Sequence, residues 1–276
     1  MGHKMTTPIH VLDHGYVQLI DHMGTDQTVV EAARMSTGKG FLGWEPNGSP
    51  DHGGDAKLLS YLYSNGHHTP FEMCELAIEV QAPIFAVREW QRHRTQMFNE
   101  MSARYVQMPN LHYIPSPERV QAQSAKNKQG SEGALDPSLV APFLHTVEEE
   151  QNTIYKNYDE AVRDGVALEL ARINTPVSRY TRMRAKANLR NWLGFLSLRA
   201  HPAAQYEIRV YAEAVGTIIE SLWPRTYALW CEHTRDSVRL SASELKKLRT
   251  LLDPSAERPT IASLEAEPLW KKLGLM

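Results

Sequence analysis

Arg92-His93-Arg94-Thr95-Gln96-Met97-Phe98-Asn99-Glu100-Met101-Ser102-Ala103-Arg104 gathers arginine, histidine, glutamate, asparagine and serine into one short stretch. Neither an apolar helical stripe nor alternating opposite charge accounts for it. Guanidinium forks beside short polar donors suit a multiply charged anion such as phosphate. A basic surface loop would explain the arginines alone. It does not explain Asn-Glu-x-Ser-x-Arg placed directly after Arg-His-Arg. Polar side chains concentrate in two further places, His67 to Glu72 and Arg172 to Arg199. A nucleotide needs this mixture. Arginine neutralises phosphate, serine or backbone N–H reaches its oxygens, and a carboxylate accepts from sugar hydroxyls or fixes an arginine. An arginine can also stabilise charge developing on a carbonyl oxygen.

Other chemistries find less support. No strand is followed by G-x-G-x-x-G or G-x-x-x-x-G-K-[ST], so neither usual phosphate loop is expected. Asp51, His52 and Asp55 fit no standard metal-ligand spacing, and Asp55 is expected as a helix N-cap. A zinc hydrolase built on His67, His68 and His93 stays open as a competing class. So does a nucleic-acid binder built on Arg182, Arg184, Lys186 and the central run. The second is opposed by a net charge of −2 and by few exposed aromatic stacking signals.

The elements that must carry these residues read as follows. A chain of 276 residues with 42% hydrophobic content is globular. We expect one compact α+β (mixed α/β) domain over 1–276, a central sheet flanked by helices. Residues 8–20 read as one or two short strands. Thr28 to Glu31 reads as a capping box, and 38–54 as a loop. A helix follows over 56–65, stopped by Gly66. Leu76, Ile78 and Val80 alternate with Glu75, Ala77 and Glu79, a half-buried strand. Pro83 opens a helix that delivers 92–104 at its C-terminal end. Residues 106–137 read as a surface insertion, and 138–164 as a long helix. Residues 167–173 form a short helix with Arg172, 179–187 a strand with a basic face, and 188–198 a helix. Ile208 to Leu222 forms another, closed by Pro224, and 241–252 a polar helix. No run of about 18 apolar residues spans a membrane, and no signal-peptide core is evident. Cys74 and Cys231 are too few for a disulfide framework and fit reduced thiols in the cytoplasm.

At this point the motifs carry a family resemblance. Arg92, His93, Arg94, Asn99, Glu100, Ser102 and Arg104 match the signature of the flavin-dependent thymidylate synthases. His67-His68-Thr69-Pro70-Phe71-Glu72 resembles the family's His-x-Thr-Pro-Phe-Glu segment. Ala82-Pro83-Ile84-Phe85 precedes the signature, and Asn188-Leu189-Arg190 with Phe195-Leu196-x-Leu198-Arg199 resembles the C-terminal motif. The match runs roughly from 26 to 225.

The resemblance implies a homotetramer with active sites where subunits meet. It implies methylation at C5 of dUMP, with methylenetetrahydrofolate as carbon donor, FAD as hydride carrier and NADPH as reductant. Carried over, Ser36, Thr69, Arg92, His93, Arg94, Asn188 and Arg190 would contact FAD. Glu100 would lie between flavin and nucleotide. Ser102, Arg104 and Arg172 would hold the nucleotide, chiefly its phosphate. Arg199 would bind the pyrimidine, and His67 would lie near flavin and folate. Neither a metal nor a cysteine nucleophile is implied. Four positions depart from the pattern. Met97 replaces a Ser, Gly194 an Asn, Ala203 a His, and Glu89 a Gln expected beside the nucleotide. These bear on dUMP preference more than on flavin use, and a relaxed pocket would also take UMP.

Overall fold

A computed structural model of the chain describes residues 7–46, 54–125 and 128–251. Asp51 and His52 of the weighed metal loop lie outside the described residues. The chain divides into two units, one through Arg235 and one from Asp236 onward. The first runs β1 (Ile9–Val11), β2 (Gly15–Met23), α1 (Asp26–Arg34), α2 (Asp55–Ser64), β3 (Glu75–Pro83), α3 (Ile84–Trp90), β4 (Met97–Glu100), β5 (Gln121–Gln123) and β6 (Ser131–Ala134). It continues through α4 (Pro137–Arg163), α5 (Leu168–Ala171), β7 (Tyr180–Asn188), α6 (Leu189–Arg199), α7 (Tyr206–Leu222) and α8 (Pro224–Trp230). The second unit holds α9 (Ala242–Leu251), opened by a reciprocal cap between Ser241 and Glu244.

Five strands form one antiparallel sheet in the order β1-β2-β3-β7-β4. Strand alternation decides its two faces. Leu76, Ile78 and Val80 of β3 and Met183, Ala185 and Ala187 of β7 are buried in a core shared with Trp192, Phe195, Tyr211 and Val215. The other face is polar, and its charges are paired. Glu79 sits opposite Arg184 and bonds it at 3.3 Å, while Lys186 pairs with Glu75. The basic face of β7 is thus largely neutralised by β3, which weakens a nucleic-acid role for it.

The structure departs from the sequence reading at several points. The cap of α1 lies earlier: Thr25 is the N-cap, and its N–H donates to Thr28 Oγ1 at 3.0 Å. Gly54, not Asp55, caps α2. Asp55 is fully buried and accepts from Leu42 N–H (2.7 Å), Gly43 N–H (3.2 Å) and the Arg34 guanidinium. Burial alone would raise its pKa. These donors outweigh burial and hold the carboxyl below the usual range. Residues 106–137 are not wholly a surface insertion. Met108 and Tyr113 are buried, and Tyr113 N–H donates to Ser178 O at 2.9 Å. The buried Arg179 donates to Asn110 Oδ1 and Gln151 O, each at 2.9 Å, so it ties this segment to α4. Pro224 does follow the end of α7 at Leu222, as expected, but a further helix starts at it. It is the first residue of α8, whose N-terminal N–H groups at Arg225 and Thr226 are capped by the buried Asp26.

Asp55→Ala leaves Arg34 without its buried partner. It should cost about 3–5 kcal/mol in urea denaturation. A loss below about 1 kcal/mol, the scale of an exposed pair, would contradict the buried role.

Candidate functional site

Arg199 is the last residue of α6, and its guanidinium is gripped by the end of α3. Its Nε donates to His93 Nε2 at 3.0 Å, its Nη1 to Glu89 Oε2 at 2.8 Å, and its Nη2 to the Glu89 carbonyl at 2.8 Å. Core packing puts the partners there. Trp90 stacks on Phe195 with ring centroids 4.6 Å apart, and His93 meets Phe195 edge-on at 5.0 Å. Trp90 Nε1 donates to Gln96 Oε1 at 2.9 Å, which folds the chain after α3 back on itself. Because His93 Nε2 accepts, its proton resides on Nδ1. Burial first, and the Arg199 charge second, lower its pKa from 6.5 to about 4.

A cleft of about 430 Å³ opens beside the start of α3, a size typical of small-ligand sites. Arg88, Glu100, Met101, Glu169, Arg172, Tyr180 and Thr181 line it. Glu100 is held by Thr181 Oγ1 (2.8 Å) and Gln91 Nε2 (3.2 Å). Arg104 pairs with Glu169 at 3.6 Å, and its N–H donates to Ser102 Oγ at 3.3 Å. Arg88 and Arg172 have no carboxylate partner among the described residues. Two uncommitted cations and one fixed carboxylate suit a phosphorylated sugar. Neither Arg199, His93 nor Glu89 lines this cleft.

A second group lies at the far end of β7. Asn188 caps α6, its Oδ1 accepting from Asn191 N–H at 2.9 Å. Its amide donors stay free for another partner. Arg190 Nη1 pairs with Glu72 at 2.5 Å, next to the 3₁₀ turn Thr69–Met73. Asn191 Nδ2 reaches Thr95 O at 3.5 Å, which brings the loop carrying Arg94 to this end. Arg92 and Arg94 are exposed, with no ion-pair partner among the described residues. A Cβ at Gly194 would meet open space.

β7 has nine residues from Tyr180 to Asn188, so its ends are roughly 26 Å apart. One chain therefore brings Glu100, Arg172 and, nearby, Ser102 and Arg104 together at one end. It brings Thr69, Asn188, Arg190 and the Arg94 loop together at the other. His67 precedes Thr69 by two residues, and Ser36 lies just after α1. Ser36 Oγ donates to Ala33 O at 2.9 Å after α1, and His67 is exposed, edge-on to Tyr61 at 5.6 Å.

Sequence reasoning left four residues off its list of site residues. Arg88 and Gln91 follow Ile84 at helical spacing and share its face, a signal that was readable. Thr181 depends on the pairing of β4 with β7, and Glu72 on its partner Arg190. Neither has a local signal. The buried Cys74 thiol is pushed up to about 11 by desolvation, unsuited to a nucleophile. Among the described residues, no cluster of three or more His, Cys, Asp or Glu could hold a metal, and no helix is long and apolar enough to cross a membrane.

The pKa of His93 sets a pH prediction. The folded state favours the neutral ring, so its stability is complete above about 6.5. It is lost as pH falls toward about 4, because the unfolded chain takes the proton first. Between pH 7 and about 4.5 the wild type should lose more stability to urea than His93→Gln. Equal losses would contradict the assigned protonation.

Residues 18–225 match the family model described as thymidylate synthase complementing protein. The chain is 42% identical to the flavin-dependent thymidylate synthase of Wolbachia pipientis wMel over 242 residues, covering 88% of this chain and 82% of that one. It is 40% identical to the flavin-dependent thymidylate synthase of Gluconobacter oxydans (strain 621H) over 255 residues, covering 91% and 82%. Among solved structures it is similar to the UMP/dUMP methylase PolB from Streptomyces cacaoi bound with 5-Br UMP. The TM-score is 0.71 at 31% identity, covering 82% of this chain and 98% of that one.

Proposed function

The chain belongs to the flavin-dependent thymidylate synthase family, and we propose that it carries a one-carbon unit from methylenetetrahydrofolate to C5 of dUMP. FAD serves as hydride carrier and NADPH as reductant, the product is dTMP, and the enzyme works in the cytoplasm. The observation that carries this reading is the cleft with Arg88, Arg172 and the fixed Glu100. It offers a uridylate two free guanidiniums for phosphate and a carboxylate for the sugar.

The flavin end also fits its ligand. Among the described residues Arg92 and Arg94 have no ion-pair partner and the Asn188 amide donors none, and space is open around Gly194. With Ser36, Thr69, His93 and Arg190 they would hold FAD, whose isoalloxazine supplies the redox chemistry when bound. His93 can offer only its Nδ1–H, since Nε2 is engaged by Arg199. Arg199 orients the pyrimidine and stabilises charge on its carbonyl oxygens with the N–H groups that His93 and Glu89 leave free. Ser102 and Arg104 extend the phosphate side, and His67 serves flavin or folate from the turn after α2.

The two groups of residues sit toward opposite ends of β7. We therefore place the active site between copies in a homotetramer. Leu139, Phe143, Leu170 and Ile173 are exposed apolar residues in and beside α4 and α5, the kind of surface that self-association covers.

A second reading, methylation of UMP as well as dUMP, is favoured by the likeness to PolB and by Met97, which is exposed on β4 where the family signature has Ser. Turnover of the two nucleotides decides between them. A dUMP preference above about a thousandfold, or about 4 kcal/mol of discrimination, supports strict dTMP synthesis. Comparable turnover supports the relaxed enzyme, and turnover of neither overturns both. Arg199→Ala should abolish methylation while the purified protein stays yellow. Loss of the flavin from that variant would contradict its placement on the pyrimidine.

A further inference from the structure

Glu89 stands where the family pattern expects a glutamine beside the nucleotide, and there a carboxylate would face a phosphate dianion. The structure puts it to another use. Like Arg199, it lies outside the cleft lining, whereas its neighbour Arg88 is in it, so its role is read from its bonds to Arg199. Two of its three acceptor oxygens serve Arg199, Oε2 on Nη1 and the main-chain oxygen on Nη2, the latter shared with Arg92 N–H. The side chains involved are 14% exposed for Arg199 and 30% for Glu89. His93, the third partner, is neutral, so Glu89 is the one counter-charge at this guanidinium among the described residues.

From this we propose that Glu89 is a positioning residue for Arg199 and makes no contact with the nucleotide. The inference rests on the uridylate methylase reading above. A guanidinium has five N–H donors. His93 and Glu89 occupy three of them and leave two, one on each Nη, for a substrate carbonyl. The fork is therefore oriented before the substrate arrives, so little reorganisation remains when charge develops. A carboxylate committed to an arginine also repels a nearby phosphate less than a free one. Two consequences follow. Removing Glu89 acts through Arg199, on the reacting state more than on nucleotide affinity. Glu89 also carries no information about the 2′ position of the sugar.

The test compares flavin-loaded wild type, Glu89→Gln and Glu89→Ala in steady-state turnover of dUMP and of UMP. In Glu89→Ala, kcat should fall about tenfold to a hundredfold, the scale of one charge-assisted hydrogen bond. KM for either nucleotide should stay within about threefold, and the dUMP-to-UMP ratio should stay as in wild type. Glu89→Gln keeps an acceptor for Nη1 and should recover most of the loss. If Glu89→Ala fails to fold, Glu89→Gln alone decides through its ratio and its KM. A changed nucleotide ratio, a KM rise at unchanged kcat, or full activity in Glu89→Ala overturns the proposal. A wild type that methylates neither uridylate overturns the functional reading instead.

Discussion

The stack of Trp90 on Phe195 holds the last turn of α3 against α6, and the geometry around Arg199 follows from it. Both rings are fully buried. Glu89 and His93 flank Trp90 in sequence, so fixing the indole fixes them. A fully exposed ion pair would add at most about 1 kcal/mol and would not hold a guanidinium in one orientation; this one is largely shielded. A buried aromatic pair contributes about 0.5–1.5 kcal/mol beyond the burial of its area, and burial of two large rings adds several more. The core therefore sets the direction of Arg199, and the polar partners refine it. The low pKa of His93 belongs to the same arrangement. The ring is neutral because it is buried beside a permanent cation, and a neutral ring is what accepts from Nε.

The second constraint is length. The signature stretch runs along β4, antiparallel to β7, from Met97 opposite Lys186 to Glu100 opposite Met183. It thereby leads from the Arg94 loop toward the cleft lined by Glu100 and Arg172. On the proposed reading, residues adjacent in sequence would serve two sites that an extended strand keeps apart. Helices α3 and α6 converge between these ends, which is where Arg199 is held. An assembly that lays one copy's flavin end against another's cleft would unite the three, and β4, at the sheet edge, is available for that approach.

Much of this was legible because it is local. The alternation of β3, the stop of α2 at Gly66 and the helix after Pro83 follow from backbone preference and side-chain periodicity. The signature stood out in the sequence because its residue types admit few uses other than an anion site. The misreadings involve distant partners. Thr28 looked like a cap because Glu31 follows at the right spacing, but the chain enters the helix earlier and Thr25 takes that place. Asp55 looked like a cap until Arg34 and the 42–43 backbone were seen to claim it. The 106–137 segment, poor in apolar residues, gave no sign that Arg179 would anchor it. Nor did any local pattern report the bond of Glu89 to Arg199, which lies 110 residues away.

The central claim is that one chain carries two half-sites and that catalysis needs halves from different copies. Mixed oligomers of Arg172→Ala, damaged in the cleft, and Arg190→Ala, damaged at the flavin end, test it most directly. Each variant alone should be nearly inactive. Mixing them under exchange conditions should restore a substantial fraction of wild-type turnover, because some sites then join an intact cleft to an intact flavin end. Mixed oligomers that demonstrably form yet show no recovery would contradict the account and return the whole site to a single chain.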